Sequence, residues 1–189
     1  MDATQVQDFF ERTASQWDSM RLAWYDERVI EELAMRVRAR HSSTVLDVGT
    51  GTGFVAAGVA PRVGRVVAVD NSPAMLEAAH RNLQELGIHN VELSVADFTA
   101  LPVPDDSMDA AVANMALHHA ESPTSMLQEM ARVTKPGGWV GVTDEVEHHH
   151  EWMRTEHADL WLGFRRDQVV DFFGAAGLEQ HGYAPLGMQ

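Results

Sequence analysis

Apolar positions along the chain recur in two rhythms, and the change between them separates a helical beginning from an alternating core. Near the start, Val6, Phe9, Phe10, Thr13, Ala14 and Trp17 follow helical spacing and predict an amphipathic N-terminal helix. Val29, Ile30, Leu33 and Val37 predict a second helix over residues 26–39. From Thr44 the texture changes. TVLDVG and RVVAVD are short β-branched runs without polar alternation, as expected for strands covered on both faces. VELSVAD, MDAAVANM and GGWVGVTDE predict the third, fourth and fifth strands. Between them, Ser72-Pro73 supplies an N-cap and a first-turn proline. The helix it opens has Met75, Leu76, Ala79, Leu83 and Leu86 as its stripe and Gly87 as its stop. Ser122-Pro123 repeats the device for a helix that KPGG, at Lys135–Gly138, is expected to end. A last helix is predicted over 166–176, and LEQHGYAPL is predicted as a closing strand.

Strands alternating with helices predict an α/β fold with a doubly wound, mostly parallel sheet. The sequence shows no repeat, low-complexity tract or Pro/Ser-rich linker, so residues 1–189 read as one domain.

Charge restricts the partners. The chain has 28 acids against 14 bases, a formal net charge of −14, and Lys135 is its only lysine. Such a surface repels polyanions, so nucleic acid is not expected as a partner and a small-molecule substrate is. No apolar run approaches the roughly 20 residues of a membrane span. MDATQVQDFFERT lacks the basic-then-apolar layout of a signal peptide, so the expected compartment is the cytoplasm, with no membrane partner. With no cysteine there is no disulfide, thiolate nucleophile or thiolate metal site.

The candidate chemistry begins at VLDVGTGTGF, Val45 to Phe54, where Gly49, Gly51 and Gly53 follow the first strand. Glycines at the first strand-to-helix turn let a ligand approach the main chain. Gly51-Thr52-Gly53-Phe54-Val55-Ala56 satisfies the dinucleotide pattern G-x-G-x-x-A, and Asp70 ends the second strand where a ribose-binding acid belongs. Asp47, however, extends the motif to D-x-G-x-G-x-G. A carboxylate there would repel a pyrophosphate and suits a cofactor with positive charge, such as S-adenosylmethionine. Asp97 closes the third strand in VADF, where a carboxylate can accept a hydrogen bond from an adenine amine. An uncompensated acid at a strand end needs a partner, and three of them ring a nucleoside that has no phosphates.

The stretch from about Thr44 to Gly141 resembles the class I S-adenosylmethionine-dependent methyltransferases, in the branch that modifies quinones and small molecules. VLDVGTGTG, VVAVDNSPAML, VADFTALPVPDDSMDAAVANMALHH and ARVTKPGG carry the likeness. The resemblance implies the seven-stranded-type, Rossmann-like sheet of that family, here expected to lack its last strand. It implies that Gly49, Gly51 and Gly53 line the methionine portion and that Asp70 holds the ribose hydroxyls, with Asn71 beside it among the cofactor-binding residues. Met75 would pack on adenine, Asp97 with Phe98 would meet the adenine edge, and Asn114 would stand beside the reactive methyl. FFERTASQWD is similar to the N-terminal lid of such enzymes, with Trp17 where an aromatic covers the cofactor. On this reading residues 1–40 are the lid and 44–141 the cofactor-binding core. Residues 142–165, with the apolar EWMRTEHADLWLGF, form a substrate cap, core packing or a dimer contact. An edge left by the missing strand makes a second copy of the chain a candidate partner.

Ten histidines include His118-His119 and His148-His149-His150. Three adjacent histidines cannot all face one ion, and the zincin pattern begun by His150-Glu151 fails at Arg154, so no metal site is assigned. Histidines from different segments could still converge with Asp144, Glu145 or Glu147. His119 is the candidate proton acceptor for an attacking group. The expected activity is therefore methyl transfer to a small-molecule acceptor. The alternatives are a non-catalytic cofactor-binding sensor or assembly subunit, and a nicotinamide-dependent oxidoreductase.

Overall fold

The computed structural model describes residues 2–179 and 182–187. Its first helix, α1 (Ala3–Thr13), opens with a capping box in which the Asp2 side chain accepts from the Gln5 amide. It stops short of Trp17, which instead starts the four-residue helix α2 (Trp17–Met20). The helix predicted over 26–39 is α3 (Arg28–Arg36), and Arg38, in the left-handed region at φ 53°, turns the chain away.

The core alternates strand and helix as expected: β1 (Thr44–Val48), α4 (Phe54–Val59), β2 (Arg65–Asp70), α5 (Pro73–Glu85), β3 (Val91–Val95), β4 (Met108–Asn114), α6 (Pro123–Val133) and β5 (Thr134–Thr143). The short α7 (Met153–Glu156) and α8 (Arg166–Ala175) follow. Both Ser-Pro pairs cap helices as read from the sequence. Ser72 accepts the Met75 amide through Oγ at 3.2 Å, and Ser122 accepts that of Ser125 at 3.2 Å. KPGG does not end α6, which has already ended at Val133. It lies inside β5, where the pairing of β4 with β5 shifts register between Met108 and Ala110.

Five parallel strands form one sheet in the order β3-β2-β1-β4-β5. Chain order reverses between β1 and β4, and ligands of open α/β sheets gather at the carboxyl ends there. The lack of alternation in TVLDV has a direct cause, because both of its faces are covered. Val45 joins Val66 and Val112 beneath α3 and α4, with Leu33 and Val59, while Leu46 and Val48 face Leu127 and Met130 of α6. Phe164 and the aromatics of α8 complete the second face.

The described residues of the predicted closing segment, Leu178, Glu179 and 182–186, form no strand, and Gln180 and His181 lie outside the described residues. Among the described residues β5 has β4 as its one neighbour. Among the described residues no helix is long and apolar enough to cross a membrane.

Candidate functional site

A cavity of about 200 Å³ opens at the carboxyl ends of β1, β2 and β4. Trp17, Asp47, Gly49, Gly51, Asp70, Asn71, Met75, Asp97, Phe98, Asn114 and His119 all line it. Gly53 is not among the lining residues. It caps α4 at φ +85°, and a Cβ added there would lie 3.2 Å from that of Ala79, so its task is helix packing against α5. Only Gly49 and Gly51 bring bare main chain to the cavity.

The turn is folded back onto β2. The amides of Gly49 and Thr50 both donate to the Val69 carbonyl, at 2.9 and 3.0 Å. Asp70 then accepts the Gly51 amide through Oδ2 at 2.8 Å and the Ser72 amide through Oδ1 at 2.9 Å. A carboxylate has about four acceptor positions, so Asp70 keeps acceptor capacity for a ligand. Gly49 sits at φ +70°, and a Cβ there would come within 2.7 Å of the Ala116 Cβ. No side chain fits at that position.

Electrostatics select the sign of the occupant. Asp47 and Asp70 are 1% and 6% exposed. Burial pushes Asp47 up to about 7, against hydrogen bonds from Thr50 and the Ala56 amide, and nearby Asp70 adds to the rise. Burial pushes Asp70 up to about 6, against the amides of Ser72, Gly51 and Asn71. Asp97 and Glu121 add acids to the wall, and no lysine or arginine is among its lining residues. Anionic phosphates are disfavoured in such a cavity, and a sulfonium or ammonium group is favoured. The residues present therefore fit S-adenosylmethionine and not a dinucleotide. Asp97 does not close the third strand as the sequence suggested. It is exposed, lies beyond the end of β3, and accepts the Thr99 amide and hydroxyl at 2.7 Å each.

The N-terminal helices roof this cavity with Val6, Phe10 and Trp17. The indole lies over the glycine turn, with Nε1 3.6 Å from where a Gly51 Cβ would stand. Polar latches hold the roof to the cofactor loops. Gln7 Nε2 donates to the Asn71 carbonyl at 2.7 Å, and the Ser72 hydroxyl donates to Glu11 at 2.8 Å. Asp18 accepts from the Thr52 hydroxyl at 2.7 Å and from Asn82 Nδ2 at 2.9 Å. These latch residues carry no motif in the sequence and were not anticipated.

At the other side, Asn114 accepts the Thr143 hydroxyl at 2.8 Å, which leaves its amide N–H group for the cavity. Met115 follows in the left-handed region at φ 51°, a strained conformation for a non-glycine residue. His119 is buried, with Phe10 edge-on at 4.8 Å and Nδ1 3.1 Å from the Ala158 carbonyl. Burial and the charge of His118 hold it well below the ordinary histidine value, so it is neutral. His118 faces away from this cavity. Burial alone would lower it, but Asp144, with Nδ1 and Oδ1 2.7 Å apart, and then Asp159 and Glu145, hold it up at about 9. Of the histidine run, His149 and His150 are exposed and His148 bonds Glu145 at 2.7 Å.

EWMRTEHADLWLGF divides its work. Leu162 and Phe164 are core, Ala158 and Leu160 pack under α1, and Trp152 is 45% exposed. Asp159, in the same segment, is buried beside His118 and had no signal in the sequence.

Residues 45–138 match the family model of the methyltransferase domain. The chain is 36% identical over 145 residues to the malonyl-[acyl-carrier protein] O-methyltransferase of Halorhodospira halophila, covering 74% of this chain and 48% of that protein. It is 32% identical over 151 residues to the ubiquinone/menaquinone biosynthesis C-methyltransferase UbiE of Coxiella burnetii, covering 74% and 59%. A SAM-dependent methyltransferase from Aquifex aeolicus superposes with a TM-score of 0.68 at 25% identity, covering 94% of this chain and 88% of that one. The chain spans about half the length of the curated relatives it matches.

Proposed function

The chain belongs to the S-adenosylmethionine-dependent methyltransferases, and we propose that it transfers a methyl group to a small-molecule acceptor. The observation that carries the reading is the roofed cavity with buried Asp47 and Asp70, main chain exposed at Gly49 and Gly51, and no basic lining residue. Bound there, S-adenosylmethionine supplies a methyl group already activated by its sulfonium.

What remains for the chain is binding, orientation and exclusion of water. The remaining acceptor capacity of Asp70, with neighbouring Asn71, suits a ribose hydroxyl. Met75, 1% exposed at the start of α5, offers an apolar floor for an adenine, with Phe98 and Asp97 at its edge. Gly49 and Gly51 admit the methionine portion, and Asp47 meets its positive charge. Asn114 presents an N–H donor at the end of β4. Trp17 and Phe10 close the roof and keep water from the reacting atoms. Holding acceptor and donor in line supplies up to roughly 7–11 kcal/mol of the barrier reduction. His119 stays neutral next to a cationic donor and offers a nitrogen lone pair on the cavity wall, where an acceptor that sheds a proton needs one. The two relatives methylate an oxygen in one case and a carbon in the other by their names, so family membership leaves the acceptor atom open.

The test is calorimetric titration with S-adenosylmethionine, S-adenosylhomocysteine and NAD(H), followed by transfer of labelled methyl to hydroquinones, phenols, amines and carboxylates. Micromolar binding of the first two and turnover with one acceptor class are expected. Absence of binding by S-adenosylmethionine refutes the reading. Binding without transfer to any acceptor would make the protein a cofactor sensor instead.

A further inference from the structure

Asp159 is a buried acid to which methyl transfer gives no task. It is 1% exposed, and neither carboxylate oxygen has a hydrogen-bond partner among the described residues. The His118 Nε2 stands 3.7 Å from Oδ1, an ion-pair distance that is beyond hydrogen-bond reach. Carboxylates removed from water to this degree are paired, hydrogen-bonded or bound to a metal.

Two histidines converge on it from the turn after β4. Nδ1 of His118 is 2.7 Å from Asp144 Oδ1, and Nδ1 of His119 is 3.1 Å from the Ala158 carbonyl. Each ring gives its Nδ1 proton to an oxygen, which orients Nε2 toward Asp159 as metal-binding histidines are oriented from behind, and an ion that binds there displaces the Nε2 proton of His118. Asp144 is itself fixed, since it accepts the Leu117 and Glu145 amides at 2.9 and 2.8 Å. One donor atom from each of His118, His119 and Asp159 lies within 4.8 Å of the others. Ligand atoms around a tetrahedral ion with bonds of about 2.1 Å stand roughly 3.4 Å apart, so small side-chain rotations complete the geometry. The three residues also line a cavity of about 20 Å³, which is room for one ion or one water.

We propose that His118, His119 and Asp159 form a site for a single divalent transition-metal ion. Two imidazoles and a carboxylate are a donor set used by zinc and non-haem iron sites, with solvent in the remaining positions. Glu145, His148 and Asp159 form a competing cluster. Its histidine is committed elsewhere: the His150 amide donates to His148 Nδ1 at 3.2 Å, so Nε2 carries the proton and donates it to Glu145 at 2.7 Å. No lone pair is left there for an ion. His119, Trp17, Tyr25 and Met115 line both cavities, which places the ion one layer of side chains from the large one. Coordination uses the lone pair of His119, so in the ion-bound protein this residue is a ligand and not a proton acceptor. The site does not depend on methyl transfer, and it is tested without cofactor or acceptor.

The full chain, stripped with chelator, is titrated with Co²⁺ and then Zn²⁺ while visible absorbance is followed. One equivalent of Co²⁺ is expected to develop d–d bands that one equivalent of Zn²⁺ removes. Asp159→Asn and His119→Gln are each expected to weaken binding by roughly tenfold or more. Asp159→Asn removes a buried charge and is expected to fold, as circular dichroism would show, and His119→Gln provides a second reading of the same ligand set. His148→Gln and the double variant His149→Ala/His150→Ala are expected to bind as the parent does. The proposal is overturned if the parent shows no saturable one-to-one binding. It is also overturned if both ligand variants bind normally, or if the loss follows the His148–His150 variants.

Discussion

Asp18 Oδ1 accepts the hydroxyl of Thr52 at 2.7 Å while its Oδ2 accepts the side-chain amide of Asn82 at 2.9 Å, so one carboxylate joins the roof, the glycine turn and α5. Thr52 is itself buried, and losing a part-buried hydrogen bond of this kind costs about 1–2 kcal/mol, or roughly five- to thirtyfold in an equilibrium. Asp18→Ala is expected to weaken S-adenosylmethionine binding by that factor through faster dissociation, with little change in Tm. Stopped-flow fluorescence of Trp17, which overlies Gly51, reads the rate. An unchanged dissociation rate would mean that the roof does not retain the cofactor.

Gly49 and Gly53 carry the same letter in the motif but answer to different neighbours. Alanine at Gly49 meets Ala116 at 2.7 Å and at φ +70°, so we expect about 1–3 kcal/mol of lost stability together with loss of cofactor binding. Alanine at Gly53 meets Ala79 at 3.2 Å and at φ +85°, outside the cavity wall. It is expected to lower stability while the folded fraction binds with near-parental affinity. Urea unfolding and calorimetry on both variants separate the two effects.

Affinity for a cationic cofactor is expected to rise with pH. In the folded protein Asp47 is pushed up to about 7 and Asp70 up to about 6, against roughly 3.9 for an unfolded aspartate. Raised values mean that the folded state holds these protons more tightly. Their stabilising contribution is therefore full below about pH 4 and is lost as pH rises through 6 and 7. The same ionisation creates the negative charge a cation needs, so binding should strengthen by up to roughly tenfold per pH unit between about pH 5.5 and 7. Asp47→Asn should weaken binding at pH 7.5 and flatten this profile. A parent profile with no slope would show that neither acid meets the cation.

Phe164 is 2% exposed and lies 5.8 Å from the Trp161 ring and 5.9 Å from that of Phe172. Phe164→Ala is expected to cost about 3–5 kcal/mol, as for other fully buried aromatics. Because Leu162 and Phe164 bracket the chain that returns from Ala158 and Asp159, the loss should appear first as exchange of those amides with solvent. Hydrogen-exchange mass spectrometry checks it, and protection equal to the parent in that segment would refute the coupling.

Much of this protein was legible in its residues one after another. Runs such as TVLDV and RVVAV specify buried parallel strands because both of their faces must be apolar. Ser72-Pro73 and Ser122-Pro123 specify helix starts through the hydroxyl cap and the fixed φ of proline. The acid before the glycines indicated a cationic ligand because like charges repel wherever the chain places them. These signals act within a few residues, so one dimension contains them. KPGG misled because a Pro-Gly stop at a helix end and a bulge within a strand use the same conformational freedom. The separate duties of Gly49 and Gly53 depend on Ala116 and Ala79, far along the chain. The hold of Asp18 on Thr52 spans 34 positions and that of His118 on Asp144 spans 26, and Asp159 meets His118 only because the segment after β5 folds back under α1. Periodicity and capping carry no record of which distant side chains will share a buried space. Packing of the sheet, roof and return segment decided that, and with it where a buried carboxylate is left without a hydrogen bond.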